Sequence, residues 1–286
     1  MTQHRDHLSF FLEQKSGLHG LAYKMTESAC DAEDILNDVY LSFSMQPLNQ
    51  ILEPERYLVR SVIHRCFAVL NKRKGISYPG INLPEPVIYE RFPDLQQHDV
   101  SYALLVLLQK LNATERAVFL LRESFDYDYD EIASLVNISQ DNCRQHLHRA
   151  KEKLQTGKVR YSPSRQDQEE MTRAFLTACA TGDVKWLETY LSKEITIFAD
   201  GGGKVAAALK PVAGQAGVIA YLTGIANKFG NALSYSIRKV NLETGVLIEN
   251  SMTISLDTVM IPLFDDSNRI SEIYMIRNPC KMKFVV

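Results

Sequence analysis

The chain has 286 residues, 45% hydrophobic and 23% charged, with a formal net charge of −2 at pH 7. Such a length allows two or three domains, and the composition is that of an ordinary soluble protein. The near-neutral charge excludes a free-standing, non-specific DNA binder, but not a subunit that carries local basic patches to DNA within a larger enzyme.

Five cysteines (Cys30, Cys66, Cys143, Cys179 and Cys280) fall in no CxxC spacing, which predicts reduced thiols and no metal site. The opening Met1-Thr2-Gln3-His4-Arg5-Asp6 has no apolar signal core, and no stretch approaches eighteen apolar residues. A cytoplasmic location and no membrane association are expected.

Residues 1–75 read as three helices, His7–Lys24, Asp31–Ser44 and Pro54–Lys72, with breaks at Gly17 and Gly20, Ser28 and Pro47. The second has Asp31 as its expected cap, an apolar face of Ile35, Leu36, Val39, Tyr40 and Phe43, and acids at Glu33, Asp34 and Asp38. The third opens at Pro54, a favoured first helical position, and carries six basic residues and no acid from Arg56 to Lys74. An acidic helix beside a basic one can hold a protein with one face and a polyanion with the other.

Residues 76–99 form a proline-rich linker. Pro79-Gly80 and Leu83-Pro84-Glu85-Pro86 place three prolines within eight residues, and Pro93 follows. Regular helix is denied, so the segment is expected to be extended and exposed.

Residues 100–158 contain a helix-turn-helix. Asp128 can cap a helix while Glu131 reaches back to complete a capping box, with Ile132, Leu135 and Val136 on one face. Asn137 tolerates a left-handed turn, Ser139 can cap the next helix, and Ile138 can pack on Cys143. In that second helix Cys143, Leu147, Ala150 and Leu154 make one buried stripe. Gln140, Asn142, Arg144, Gln145, His148, Arg149 and Lys151 then face outward, able to bond base edges near the helix start and to neutralise phosphates further along.

Residues 166–286 read as α+β. A polar stretch with Pro163 and Ser164 precedes a helical stripe of Met171, Phe175, Leu176 and Cys179, then Gly182-Asp183 and a helix with Trp186. Strands are expected at Ile195–Ala199, Ser234–Val240, Gly245–Ile248, Met252–Leu256, Val259–Leu263 and Ile270–Ile276, and a helix at Gly217–Lys228. Asp200-Gly201-Gly202-Gly203-Lys204 reads by itself as a flexible turn and lacks the pattern of a P-loop.

These residues also resemble a known family. Thr114-Glu115-Arg116-Ala117-Val118-Phe119-Leu120-Leu121-Arg122-Glu123, Tyr127 to Ala133, Cys143-Arg144-Gln145 and His148-Arg149-Ala150-Lys151 look like region 4 of the extracytoplasmic-function sigma factors. Ala32 to Leu41 followed by Arg56 to Val62 resembles their region 2. Asn82-Leu83-Pro84-Glu85-Pro86 resembles the linker Trp-Leu-Pro-Glu motif of a subgroup that carries an extra C-terminal domain. Asp200 to Lys204 is similar to that subgroup's Asp-Gly-Gly-Gly-Lys motif, and Asn278-Pro279-Cys280-Lys281-Met282 to its terminal Asn-Pro-Asp-Lys-Leu. The order and length of the last domain resemble the cone-shaped SnoaL-like members of the nuclear-transport-factor-2 superfamily.

The resemblance implies two all-α sigma domains followed by an α+β SnoaL-like domain. It implies core RNA polymerase, through its largest-subunit clamp and its flap region, and promoter DNA as partners. Asp34 and Asp38 would then bind the clamp, and Arg60, Arg65, Lys72, Arg73 and Lys74 would line the −10 strand. The helix from Ser139 to Lys151 would read the −35 element. Leu83, Pro84, Glu85, Asp200 to Lys204, Asn278, Pro279 and Lys281 would be regulatory, acting in cis. No cofactor is implied, and a small-molecule ligand in the cone is compatible with the fold.

Two other functions compete. A ligand-sensing helix-turn-helix repressor or activator would bind symmetric half-sites without polymerase, and leaves the acidic helix unexplained. A SnoaL-like enzyme with a DNA-binding appendage would have to use Asp200 with Tyr221, Tyr235 or Tyr274, because all seven histidines precede residue 149. The sequence favours a sigma factor that is not an enzyme.

Overall fold

The structure is a computed structural model and describes residues 7–92, 100–155, 165–229, 232–251 and 255–285. Pro93, Pro163, Ser164 and Met252 lie outside the described residues. The chain divides into two compact units.

The first unit comprises Met1–Ile76, Phe92–Val100 and Leu104–Lys158, so both helical regions share it. Helix α1 (His7–Thr26) runs through Gly17 and Gly20, which were expected to break it. Eighteen other residues and a buried second half outweigh the propensity cost of two glycines. Helix α2 (Ala29–Ser44) is capped by Ser28, whose Oγ accepts the Asp31 N–H at 3.0 Å. Asp31 is therefore the third residue of the helix, and not its cap. Helix α3 (Pro54–Arg73) starts at Pro54 as its sequence predicts.

Helices α4 (Tyr102–Leu108), α5 (Ala113–Glu123), α6 (Tyr129–Val136) and α7 (Gln140–Gln155) follow. A capping box of Asn112 and Glu115 starts α5, and another of Asp128 and Glu131 starts α6. Asn137 stands at φ 60° and ψ 52°, the left-handed corner of the helix-turn-helix. Within the unit Arg116 joins α5 to the α1–α2 turn: its guanidinium lies 2.7 Å from Glu27 and donates to the Met25 carbonyl at 2.6 Å, all buried or nearly so. Arg56 of α3 pairs with Glu131 of α6.

The second unit comprises Ser77–Arg91, Ser101–Ala103 and Val159–Val286. Helices α8 (Arg165–Thr181), α9 (Val184–Tyr190) and α10 (Gln215–Phe229) pack on a six-stranded sheet. Its strands are β1 (Leu191–Asp200), β2 (Val212–Ala213), β3 (Leu233–Val240), β4 (Glu243–Asn250), β5 (Ser255–Phe264) and β6 (Ile270–Ile276), in the order β2-β1-β6-β5-β4-β3. Phe175, Leu187, Ile195, Ile197, Val218, Val246, Met260 and Ile273 belong to its core. Each such fully buried side chain contributes roughly 1.5–3 kcal/mol.

Two expected strands, Met252–Leu256 and Val259–Leu263, are one strand, β5, over the described residues. Asp257, between the two expected segments, pairs with Arg277 at 2.9 Å and stays in the strand. All pairings are antiparallel except β1 with β6, which run parallel with Asp200 opposite Ile276. That one parallel pair brings the segments after Asp200 and after Ile276 to the same end of the sheet, and the Arg277 N–H donates to the Asp200 carbonyl at 2.7 Å.

Candidate nucleic-acid interface

Helix α7 is positioned by its buried stripe. Cys143, Leu147 and Ala150 are buried and Leu154 is half-buried. Ser139 accepts the Asn142 N–H at 3.3 Å at the start of the helix. Gln140, Asn142, Arg144, Gln145, His148, Arg149 and Lys151 are all exposed. Their polar ends are partly engaged: Arg144 with Asp141 at 3.0 Å, His148 with Glu152 at 3.5 Å, and Lys151 with Glu123 at 2.8 Å. Such exposed pairs are worth little and exchange readily for phosphate. Tyr129, not singled out in the sequence, lies between the guanidinium groups of Arg122 and Arg144, at 5.3 and 5.1 Å from its ring.

In α2 and α3 Asp34, Asp38, Arg60, Lys72, Arg73 and Lys74 are exposed, and Arg65 is half-buried. The structure brings Asp38 and Arg65 together. Arg65 donates to Asp38 Oδ2 at 2.8 Å, to the Asp38 carbonyl at 3.2 Å and to Ser42 Oγ at 2.6 Å. Arg73 turns back to the Thr26 carbonyl at 2.8 Å and to Asp31. Those two arginines therefore fasten α3 to its neighbours, while Arg60, Lys72 and Lys74 extend from it.

The linker departs from its expected exposure. It has no helix or strand from Ser77 to Ile88, yet Leu83–Tyr89 are buried. Proline removes donors, but the remaining backbone groups must still find partners once buried. Side chains and backbone groups elsewhere in the second unit supply them. Asn241 Oδ1 accepts the Val87 N–H at 3.2 Å, while its own N–H donates to the Val87 carbonyl at 2.7 Å. Tyr102 donates to the Pro84 carbonyl at 2.8 Å, and the Ile88 N–H donates to the Phe284 carbonyl at 3.0 Å.

The densest of these contacts joins all three expected regulatory motifs. Asp200, wholly buried, accepts from Tyr78 Oη at 2.7 Å, the Leu83 N–H at 3.0 Å, the Gly202 N–H at 2.9 Å and Lys281 Nζ at 2.7 Å. Lys281 also donates to Asn82 Oδ1 at 2.6 Å and to the Leu83 carbonyl. Asn278 donates to Tyr78 Oη at 2.9 Å. Burial and the adjacent Asp200 carboxylate push the Tyr78 phenol above its usual value, so it remains a donor. Gly202 and Gly203 sit at φ 60° and 70°, and a Cβ on either would collide with Asn278 or Pro79. The turn is closely packed and not merely flexible.

Asp200 thus has Tyr78 as its phenol partner, and Tyr274 donates to Glu272. Nearby, Glu243 accepts the Tyr102 and Ala103 N–H groups at 2.7 and 3.3 Å, capping the first turn of α4. Burial pushes its carboxyl above the usual range despite those donors. Tyr78, Tyr102, Asn241 and Glu243 have no local sequence signal, because their partners are remote in sequence. Among the described residues no group of three or more His, Cys, Asp or Glu could hold a metal, and no helix is long and apolar enough to cross a membrane.

Residues 101–154 match the model of sigma-70 region 4. Over 252 residues the chain is 26% identical to the extracytoplasmic-function RNA polymerase sigma factor SigJ of Mycobacterium tuberculosis, covering 83% of this chain and 80% of that one. Over most of its length the chain is thus similar to the extracytoplasmic-function sigma factors. It is also 26% identical over 202 residues to the probable sigma factor SigI of the same species, covering 65% of this chain and 67% of that one. The crystal structure of SigJ has the same fold, with a TM-score of 0.79 at 23% identity, over 97% of this chain and 98% of that one. The helical regions are therefore followed by an α+β domain, as in that structure. As a sigma factor the protein acts with core RNA polymerase on promoter DNA to initiate transcription, and it is not an enzyme.

Proposed function

We propose that α2 offers Asp34 and Asp38 to the clamp of the polymerase largest subunit, and that the region 4 helices meet the flap region. On this reading Arg60, Arg65, Lys72, Arg73 and Lys74 line the single-stranded −10 path. Gln140, Asn142, Arg144, Gln145, His148, Arg149 and Lys151 read and grip the −35 element. The carrying observation is that all seven of these α7 side chains are exposed on a helix whose opposite stripe is buried. The protein works in the cytoplasm, with the polymerase.

The SnoaL-like domain regulates in cis by holding the linker. The −10 and −35 elements lie roughly 25 base pairs apart, about 85 Å of duplex. Within the first unit α3 and α6 are tied by Arg56 and Glu131, so they must part to serve both elements. Parting needs linker. Residues 77–89 could span about 45 Å if extended, but Leu83–Tyr89 are buried in the second unit. Releasing the Asp200 and Lys281 contact frees that length.

The test is promoter-directed transcription by bacterial core polymerase on a promoter library, comparing the full chain with one lacking residues 278–286 and with Lys281→Met. Specific initiation by the full chain, and a changed output in both variants at equal abundance, are expected. Equal output from all three would sink regulation by the linker contact. No transcript, together with protection of a palindromic duplex by the protein alone, would replace the polymerase reading with that of a repressor.

A further inference from the structure

Helix α8 carries Asp167, Glu170, Met171 and Ala174 at i, i+3, i+4 and i+7, along one face. Facing it, α9 carries Trp186 and Tyr190 one turn apart, with their rings stacked at 4.6 Å and 29°. Asn268, in the turn between β5 and β6, closes a third side. These walls line an open cleft of about 290 Å³, room for a small organic ion.

The chemistry of the walls is one-sided. Asp167 and Glu170 bring two carboxylates, and among the described residues no basic side chain lines the cleft. Glu170 takes only a long 3.4 Å contact from Gln166. The stacked indole and phenol present π-electron surface, which attracts cations. Asn268 Oδ1 is buried without a hydrogen-bond partner among the described residues, although native proteins rarely leave such an acceptor unmet. An anion would be repelled by the carboxylates. A neutral apolar ligand would leave Oδ1 unsatisfied.

We infer that this cleft binds a small organic ammonium ion that keeps at least one N–H. The N–H groups go to Asn268 Oδ1 and the carboxylates, and the apolar body lies against Met171, Ala174 and the aromatic pair. The site lies outside the DNA-reading helices, so the inference goes beyond the transcriptional reading and does not depend on it.

Trp186 is the chain's single tryptophan, so its emission reports on this cleft alone. The full-length protein is titrated with cyclohexylammonium, cyclohexanol and cyclohexanecarboxylate, three probes with one body and different charge. The ammonium is expected to shift the emission saturably and to bind at least about tenfold tighter than the alcohol, while the carboxylate gives no response. Glu170→Gln, and Asn268→Gly, which keeps the left-handed backbone at φ 55°, should each weaken the ammonium by about tenfold. Far-UV circular dichroism checks the variants' folding, and the three-probe comparison on the unaltered protein stands without them. A like response to all three probes, or no saturable response to the ammonium, overturns the inference.

Discussion

Lys281 Nζ lies 2.7 Å from Asp200 Oδ2, with Asp200 wholly buried and the lysine side chain 12% exposed. Removing only the cation leaves a buried carboxylate with its three neutral donors. Lys281→Met should therefore cost about 3 kcal/mol of second-unit stability, and Lys281→Met with Asp200→Asn together less than that. Urea denaturation of the three proteins checks this. A double variant at least as unstable as Lys281→Met would show that charge is not what the pair contributes.

Arg144 and Lys151 should separate reading from gripping. Arg144→Ala is expected to relax base preference at one −35 position by about 1–3 kcal/mol. Lys151→Ala should weaken binding to all sequences and lower the salt slope by about one. Binding of polymerase holoenzyme to a −35 library at several salt concentrations distinguishes the two outcomes.

Asn137 at φ 60° makes the corner between α6 and α7. Asn137→Val should destabilise the first unit by about 1–2 kcal/mol, because a β-branched side chain is strained there. Asn137→Gly should cost little. Thermal melts of both would expose a relaxed corner if valine proved harmless.

His19 is buried in α1, its Nε2 has no partner among the described residues, and burial lowers its pKa to about 4. The unfolded chain takes up that proton near the ordinary value of about 6.5, and the folded one only near 4. Stability present at neutral pH is therefore lost as pH falls through this window, by about 2 kcal/mol between pH 7 and 5. His19→Phe should lose less over the same interval. Equal losses in melts at the two pH values would reject the buried, neutral imidazole.

The helix-turn-helix was legible because its signals are local. Asp128 with Glu131, Asn137 with Ala133 and Ser139 with Asn142 are each contacts over three or four residues, and the α7 stripe is periodic. Most strands were legible for the same reason. The linker's burial was not, since Leu83 meets Asp200 and Val87 meets Asn241 across more than a hundred residues. The motifs expected to be regulatory were found by resemblance, but not the phenol of Tyr78 that joins two of them. Nor did the acidic and basic character of α2 and α3 reveal that Asp38 and Arg65 hold each other. A charge pattern gives the sign of a surface and not its pairing.

Because β6 inserts between β1 and β5, the sheet stays open until that strand has been synthesised. Every DNA-reading helix has left the ribosome's catalytic centre by then. At about 5–20 residues per second, the roughly 125 residues from Gln155 to Lys281 take about 6–25 s to add. The nascent chain thus passes through an interval in which its transcriptional half is complete while the lysine that fastens its linker does not yet exist. Translation speed, through pauses over the last strand, sets how long that interval lasts.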